Sequence, residues 1–222
     1  MIELNEVTKE YRQGEVVTPV LRGVTLKIQK GEFVAIRGPS GSGKSTVMHI
    51  IGLLDRPTGG QYLFDGEDVG KLTDVELAAL RNKRIGFVFQ AFYLLPRTSL
   101  LDNVLLPTWY SSAEVQKDAK KRALELLTKV GLTHRVNNFP NQISGGEMQR
   151  AAICRALIND PDILMADEPT GNLDHKNSEQ IMSILEELHN DGKTVVMVTH
   201  EEELADRASR IIFVRDGIVV EK

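Results

Sequence analysis

Gly38-Pro39-Ser40-Gly41-Ser42-Gly43-Lys44-Ser45-Thr46 is the stretch that decides the fold of this chain. It fits the pattern G-x-x-x-x-G-K-[ST]. Glycines let the backbone curl so that successive N–H groups point inward at phosphate oxygens, and a helix starting at the end of the loop adds the positive end of its dipole. In that pattern Lys44 reaches the β- and γ-phosphates and the Ser45 hydroxyl ligates Mg²⁺. A strand before the loop and a helix after it complete the requirement. Phe33 to Ile36 is continuously apolar, and Thr46 to Leu54 favours a helix closed by Asp55-Arg56-Pro57-Thr58-Gly59-Gly60. The residues Gly38 to Thr46 are therefore expected to hold a nucleoside triphosphate.

Outward from the loop, further apolar runs bounded by turn residues lie at Ile85 to Phe89, Ile163 to Ala166 and Thr194 to Thr199. These suit buried strands of a parallel sheet. Ile181, Ile184, Leu185 and Leu188 follow helical spacing up to Gly192. The first thirty residues alternate apolar and polar (Ile2, Leu4, then Val24, Leu26, Ile28), which suits an antiparallel β layer. Asp216-Gly217 sits between two strand-like runs and predicts a closing hairpin. Between Gln90 and Asp160 only helix-compatible segments occur, Ser99 to Leu106, Ala113 to Val130 and Gly145 to Ile158. Residues 91–158 are thus expected to form a helical lobe inserted into an α/β core made of residues 1–90 and 159–222, a single domain over 1–222.

Composition excludes whole classes. With 41% hydrophobic and 26% charged residues in 222, the chain is neither disordered nor low in complexity. Its net charge of -4 gives no electrostatic reason to expect nucleic acid or an anionic membrane as partner. No apolar run is long enough to span a bilayer, and a start carrying Glu3, Glu6, Lys9, Glu10 and Arg12 is unlike a signal peptide, so a cytoplasmic location is expected. The lone Cys154, set among Ala151, Ala152 and Ile153, reads as a small buried helix residue rather than a reactive thiol. His49, His134, His175 and His189 lack metal-ligand spacing with any cysteine.

Ile163 to Ala166 delivers Asp167 and Glu168 at the C-terminal end of a strand, where ligands sit in open α/β sheets. Adjacent acids need a cation or proton to relieve their repulsion. Asp167 suits Mg²⁺, and Glu168 suits a general base for the attacking water.

Ile143-Ser144-Gly145-Gly146-Glu147-Met148-Gln149 resembles the LSGGQ signature of ATP-binding-cassette ATPases. The other elements of that family fall in order: Tyr11, Gln90, Gly171-Asn172-Leu173-Asp174 and His200. The resemblance covers essentially the whole chain. It implies a P-loop NTPase (RecA-like) α/β fold: a parallel-sheet core, an N-terminal antiparallel β layer and an inserted α-helical subdomain. It also implies a head-to-tail homodimer in which ATP lies between the phosphate loop of one copy and Ser144, Gly145, Gly146 and Glu147 of the other. Further implied roles are adenine stacking by Tyr11, Mg²⁺ and water sensing by Gln90, γ-phosphate contact by His200 and a dimer contact by Asp174.

Glu147 departs from the family glutamine; a carboxylate can accept a ribose hydroxyl but adds negative charge near the nucleotide. With Gly86-Phe87-Val88-Phe89-Gln90 and the run from Ala166 to Asp174, it is similar to the group serving lipoprotein release, macrolide export and the cell-division cassette. That implies a separate membrane permease as partner and a peripheral site on the inner face of the membrane. Soluble cassette ATPases of DNA repair or translation, and importer ATPases, are the alternatives. Repair types insert coiled coils or zinc modules between the loop and the carboxylates, and translation types carry two cassettes; neither feature is present in this sequence. The apolar stretch from Phe92 to Trp109 is expected to pack in part on its own lobe and in part to offer aromatics to a permease.

Overall fold

A computed structural model describes residues 1–221. The chain packs as two compact units, Met1–Ala78 with the residues from Gly192 onward, and Ala79–Asp191.

The first unit opens on an antiparallel sheet of β1 (Ile2–Gln13), β2 (Val16–Ile28), β4 (Gly59–Phe64) and β5 (Glu67–Asp68), ordered β2-β1-β4-β5. Simple alternation does not hold along β1. Ile2 and Leu4 point inward, and after a bulge so do Val7 and Lys9. Glu6 sits in the bulge at φ 49°, and the extra residue shifts the parity so that both halves of the strand keep an inner face. Gly60 is required opposite it, because a Cβ there would come within 2.3 Å of the Glu6 carbonyl oxygen.

The second layer of this unit is built on β3 (Phe33–Arg37), which pairs in parallel with β8 (Thr194–Val198) on one side and β9 (Arg210–Arg215) on the other. Phe33, Val34, Ala35 and Ile36 are all at most 1% exposed, as a strand covered on both faces must be. β10 (Ile218–Glu221) closes on β9 through Asp216 and Gly217, which both adopt positive φ (50° and 77°), the requirement of a type I′ turn. The helix α1 (Lys44–Ile51) follows β3, and the four-residue α7 (Glu202–Ala205) follows β8.

The second unit holds the parallel pair β6 (Ile85–Phe89) and β7 (Ile163–Asp167), with Phe89 opposite Asp167. Its helices are α3 (Leu100–Leu105), α4 (Ala113–Lys129), α5 (Gly145–Leu157) and α6 (His175–Asn190). Leu100, Val104, Ala123, Leu127, Leu132, Ala151, Cys154 and Ile158 form one buried cluster among α3, α4 and α5. Burial pushes the Cys154 thiol up to about 12, so it remains a protonated core residue. The helix α2 (Asp74–Arg84), β4 and β5 were not anticipated from sequence.

Candidate functional site

Within the first unit, the loop from Gly38 to Gly43 joins β3 to α1. Gly38, Gly41 and Gly43 all take positive φ (151°, 75° and 104°). Gly38 also has no room for a side chain, since a Cβ would fall 1.9 Å from the Val214 carbonyl oxygen. Lys44 Nζ donates to the carbonyl oxygens of Gly38 and Pro39, each at 2.9 Å, so the loop itself holds the ammonium over its concave side. Ser42 is buried within the loop, while Ser40 and Ser45 are exposed. His200, just past β8, lines a cavity of about 410 Å³ together with Gly38, Pro39, Arg37, Phe213 and Arg215. The structure thus brings His200 to the phosphate loop.

Tyr11, on β1, is 43% exposed and its phenol is fixed from below. The hydroxyl donates to Asp55 Oδ2 at 2.8 Å, and the Thr46 side chain also bonds to the Tyr11 hydroxyl. Lys9 Nζ lies 4.8 Å from the Tyr11 ring centroid, donating to Asp55 Oδ1 at 2.6 Å and to the Arg56 carbonyl at 2.8 Å. Burial and the Asp55 carboxylate raise the Tyr11 pKa. Burial pushes the Asp55 carboxyl upward, but bonds from Lys9, Tyr11 and the Arg56 amide outweigh it and hold the group below the usual carboxylate range. Lys9 and Asp55 escaped the sequence reading because neither belongs to a motif and 46 positions separate them.

Within the second unit, Asp167 ends β7 and Glu168 follows it at φ 45°, a left-handed conformation that a glutamate adopts only at some cost in energy. Gln90 follows β6; its Nε2 donates to Asn172 Oδ1 at 3.3 Å, and Asn172 Nδ2 donates to the Gln90 carbonyl at 2.9 Å. Gly171 permits this approach, since a Cβ there would lie 2.7 Å from Gln90 Nε2. Gln149, fully buried on α5, donates to the carbonyls of Phe89 at 3.3 Å and Pro169 at 2.6 Å, joining the ends of both strands to the signature helix.

Ser144 is the N-cap of α5 and forms a complete capping box with Glu147. The Ser144 amide donates to Glu147 Oε2 at 2.8 Å, the hydroxyl donates to the same oxygen at 2.9 Å, and the Glu147 amide donates to Ser144 Oγ at 3.3 Å. Arg135 Nε donates to Glu147 Oε1 at 3.0 Å. The backbone bond from Ser144, then its hydroxyl and Arg135, hold the Glu147 carboxyl below its usual range against the effect of burial. The added charge expected at Glu147 is therefore paired within the chain. A Cβ on Gly146 would fall 1.9 Å from Asn177 Oδ1, so a side chain there would displace the Asn177 amide. Asp174, exposed, caps α6 by accepting from the Asn177 amide at 2.8 Å and from Asn177 Nδ2 at 2.9 Å, and these bonds lower its pKa.

The stretch from Phe92 to Tyr110 divides. Leu100 and Val104 are fully buried, whereas Tyr93, Trp109 and Tyr110 are 65%, 64% and 83% exposed. Phe92 and Tyr93 are both left-handed, and Arg155 holds their two carbonyl oxygens. Asn103, buried, pins the following turn through bonds with Leu95, Thr98 and Ser99.

Residues 21–171 match the ABC transporter family, and that stretch contains the phosphate loop, the capped signature helix and the paired carboxylates. The chain belongs to the ABC transporter family. The cassette is 57% identical over its whole length to a macrolide export ATP-binding/permease protein of Chlorobaculum tepidum, and spans about a third (34%) of that protein's length. It is 52% identical over 99% of its length to YvrO, an uncharacterized ABC transporter ATP-binding protein of Bacillus subtilis, 96% of which it covers. Its fold matches the dimeric, ADP- and phosphate-bound cassette MJ0796 with a TM-score of 0.88 and 48% identity, covering 99% of this chain and 96% of that one. No helix among the described residues is long and apolar enough to cross a membrane.

Proposed function

We propose that this cassette binds and hydrolyses ATP at composite sites between two copies of the chain and thereby drives a membrane permease. The observation that carries the reading is the near full-length match to a dimeric cassette captured with ADP and phosphate. Each copy offers two anion-binding helix starts, the phosphate loop before α1 and the Ser144-capped start of α5. One triphosphate uses both in a head-to-tail dimer.

The loop amides and Lys44 hold the β- and γ-phosphates, and Tyr11 stacks on adenine. The oxygens of Ser45, Gln90 and Asp167 would hold Mg²⁺. They are hard donors of the type that ion selects, and the Gln90 bond to Asn172 uses the amide nitrogen, leaving the oxygen outside that contact. Mg²⁺ bound there would offset phosphate charge. Glu168 takes a proton from water as the water oxygen attacks the γ-phosphorus and ADP leaves. His200 contacts the γ-phosphate and orients that water, while Asp174 contacts the second copy. Residues 91–158 act as the helical signature subdomain. The exposed Tyr93, Trp109 and Tyr110 suit a permease contact on the inner face of the membrane, in a transporter of export or lipoprotein-release type.

A mixed dimer tests the shared site. Lys44→Ala removes the phosphate cation and Ser144→Arg blocks the signature, so each homodimer carries two damaged sites. In a linked heterodimer of the two, one composite site is doubly damaged and the other is intact. ATP hydrolysis well above either parent homodimer supports the reading. A wild-type subunit linked to the Lys44→Ala, Ser144→Arg double variant has two half-damaged sites; activity there but not in the first heterodimer places the signature within its own chain and overturns the head-to-tail model.

A further inference from the structure

The Ser144 hydroxyl carries a single proton, and in this structure that proton is given to Glu147 Oε2 at 2.9 Å. A phosphate arriving at the start of α5 needs the same donor, so the carboxylate and the phosphate compete for it. A glutamine at position 147 would compete weakly, because an amide oxygen is neutral. A carboxylate competes strongly and also repels a polyanion. Glu147 is only 15% exposed, so water screens this repulsion poorly.

The chain contains a counterweight. Arg135 closes the short 3-10 turn Thr133–Arg135 that follows α4 and delivers its guanidinium to the other carboxylate oxygen. Oε1 thus faces a cation while Oε2 faces Ser144. The pair is neutral as a unit. Charge drawn toward Arg135 weakens Oε2 as an acceptor, which eases release of the Ser144 proton toward an incoming phosphate.

We infer that Arg135 is a positioning residue for ATP at the signature, neutralising Glu147 so that a chain with glutamate at position 147 can present Ser144 to the nucleotide of a second copy. This rests on the proposed trans action of the signature. Arg135 acts through Glu147 and does not itself touch the phosphate.

The test uses the full chain carrying Glu168→Gln, in which hydrolysis is slowed and ATP-dependent dimerisation is read by light scattering against ATP concentration. Arg135→Ala is compared with and without Glu147→Gln. With the native glutamate, loss of Arg135 leaves an unpaired carboxylate at the site, and the ATP concentration giving half-maximal dimer rises about 10- to 100-fold, the effect of a poorly screened like charge several ångströms away. In the Glu147→Gln background the same substitution changes it less than about 3-fold, because no charge remains to neutralise.

Equal losses in both backgrounds overturn the inference and reduce Arg135 to a packing residue of its turn. No effect in either background overturns it as well. Failure of the Glu168→Gln parent to dimerise with ATP is a failure of the underlying function, distinguishable because it precedes any change at Arg135. Circular dichroism of each variant separates loss of fold from loss of dimer, and Arg135→Lys, which retains a cation, recovers part of the affinity if charge is what matters.

Discussion

Asp55→Asn is a sharp test of how Tyr11, proposed to stack on adenine, is held. Asp55 takes a bond from Lys9 at 2.6 Å and another from the Tyr11 hydroxyl at 2.8 Å, and the side chains of Lys9 and Asp55 are 11% and 28% exposed. Breaking a fully buried ion pair costs about 3–5 kcal/mol. Three features reduce that figure. Solvent reaches Asp55 and screens it, Lys9 keeps the Arg56 carbonyl at 2.8 Å and the Tyr11 ring at 4.8 Å, and asparagine keeps an acceptor oxygen. A loss of about 1–2 kcal/mol remains. At a urea dependence of about 2 kcal/mol per molar, the unfolding midpoint followed by far-UV circular dichroism falls by about 0.5–1 M. Replacing both partners, Lys9→Met with Asp55→Leu, removes the stranded charge and costs less than Asp55→Ala alone. A midpoint shift below about 0.2 M for Asp55→Asn, with no recovery in the double variant, would refute the reasoning. ATP affinity supplies a second readout, because a freed Tyr11 ring pays an ordering cost on binding; it falls in Asp55→Asn, though by less than when the ring itself is removed.

Tyr11→Ala weakens ATP binding by about 1–2 kcal/mol in calorimetry and leaves the chemical step nearly unchanged, whereas Tyr11→Phe, which retains the ring, keeps most of the affinity. Unchanged affinity in the alanine variant makes Tyr11 a plain surface aromatic. Glu168→Gln retains ATP binding and lowers turnover about 10²- to 10⁴-fold in a phosphate-release assay, and a variant above half the wild-type rate removes Glu168 as general base. Charge substitutions at Trp109 and Tyr110, 64% and 83% exposed, leave the cassette folded and able to bind ATP but abolish permease association on co-purification; retained association moves the permease contact elsewhere.

The elements legible in the sequence are those whose function demands a local backbone shape. Gly38, Gly41 and Gly43 can be read as a phosphate loop because all three take positive φ, and at Gly38 the Val214 carbonyl also leaves no room for a side chain. The apolar runs of β3, β7 and β8 are legible because a strand covered on both faces can be little else. The antiparallel pairing of β1 and β2 is legible in Ile2, Leu4, Val24, Leu26 and Ile28, but the bulge at Glu6, which changes the parity that alternation depends on, is not. β4 was masked by the Gly59-Gly60 pair, which looks like a turn but serves to admit that bulge.

The supporting residues of the site were the least visible, and for a common physical reason. Lys9 with Asp55, Gln149 with Pro169, Asn172 with Gln90 and Arg155 with Phe92 are polar contacts between residues 20 or more positions apart. A hydrogen bond across such a distance imposes no period and no spacing on the chain, so nothing local announces it. Glu147 shows the consequence. As a letter in a motif it is an unwelcome negative charge; in the fold it is the cap of α5, bonded to Ser144 on one oxygen and Arg135 on the other. The charge that departs from the family pattern is met by a residue outside the motif, which is why the variant to make first is not at Glu147 but at Arg135.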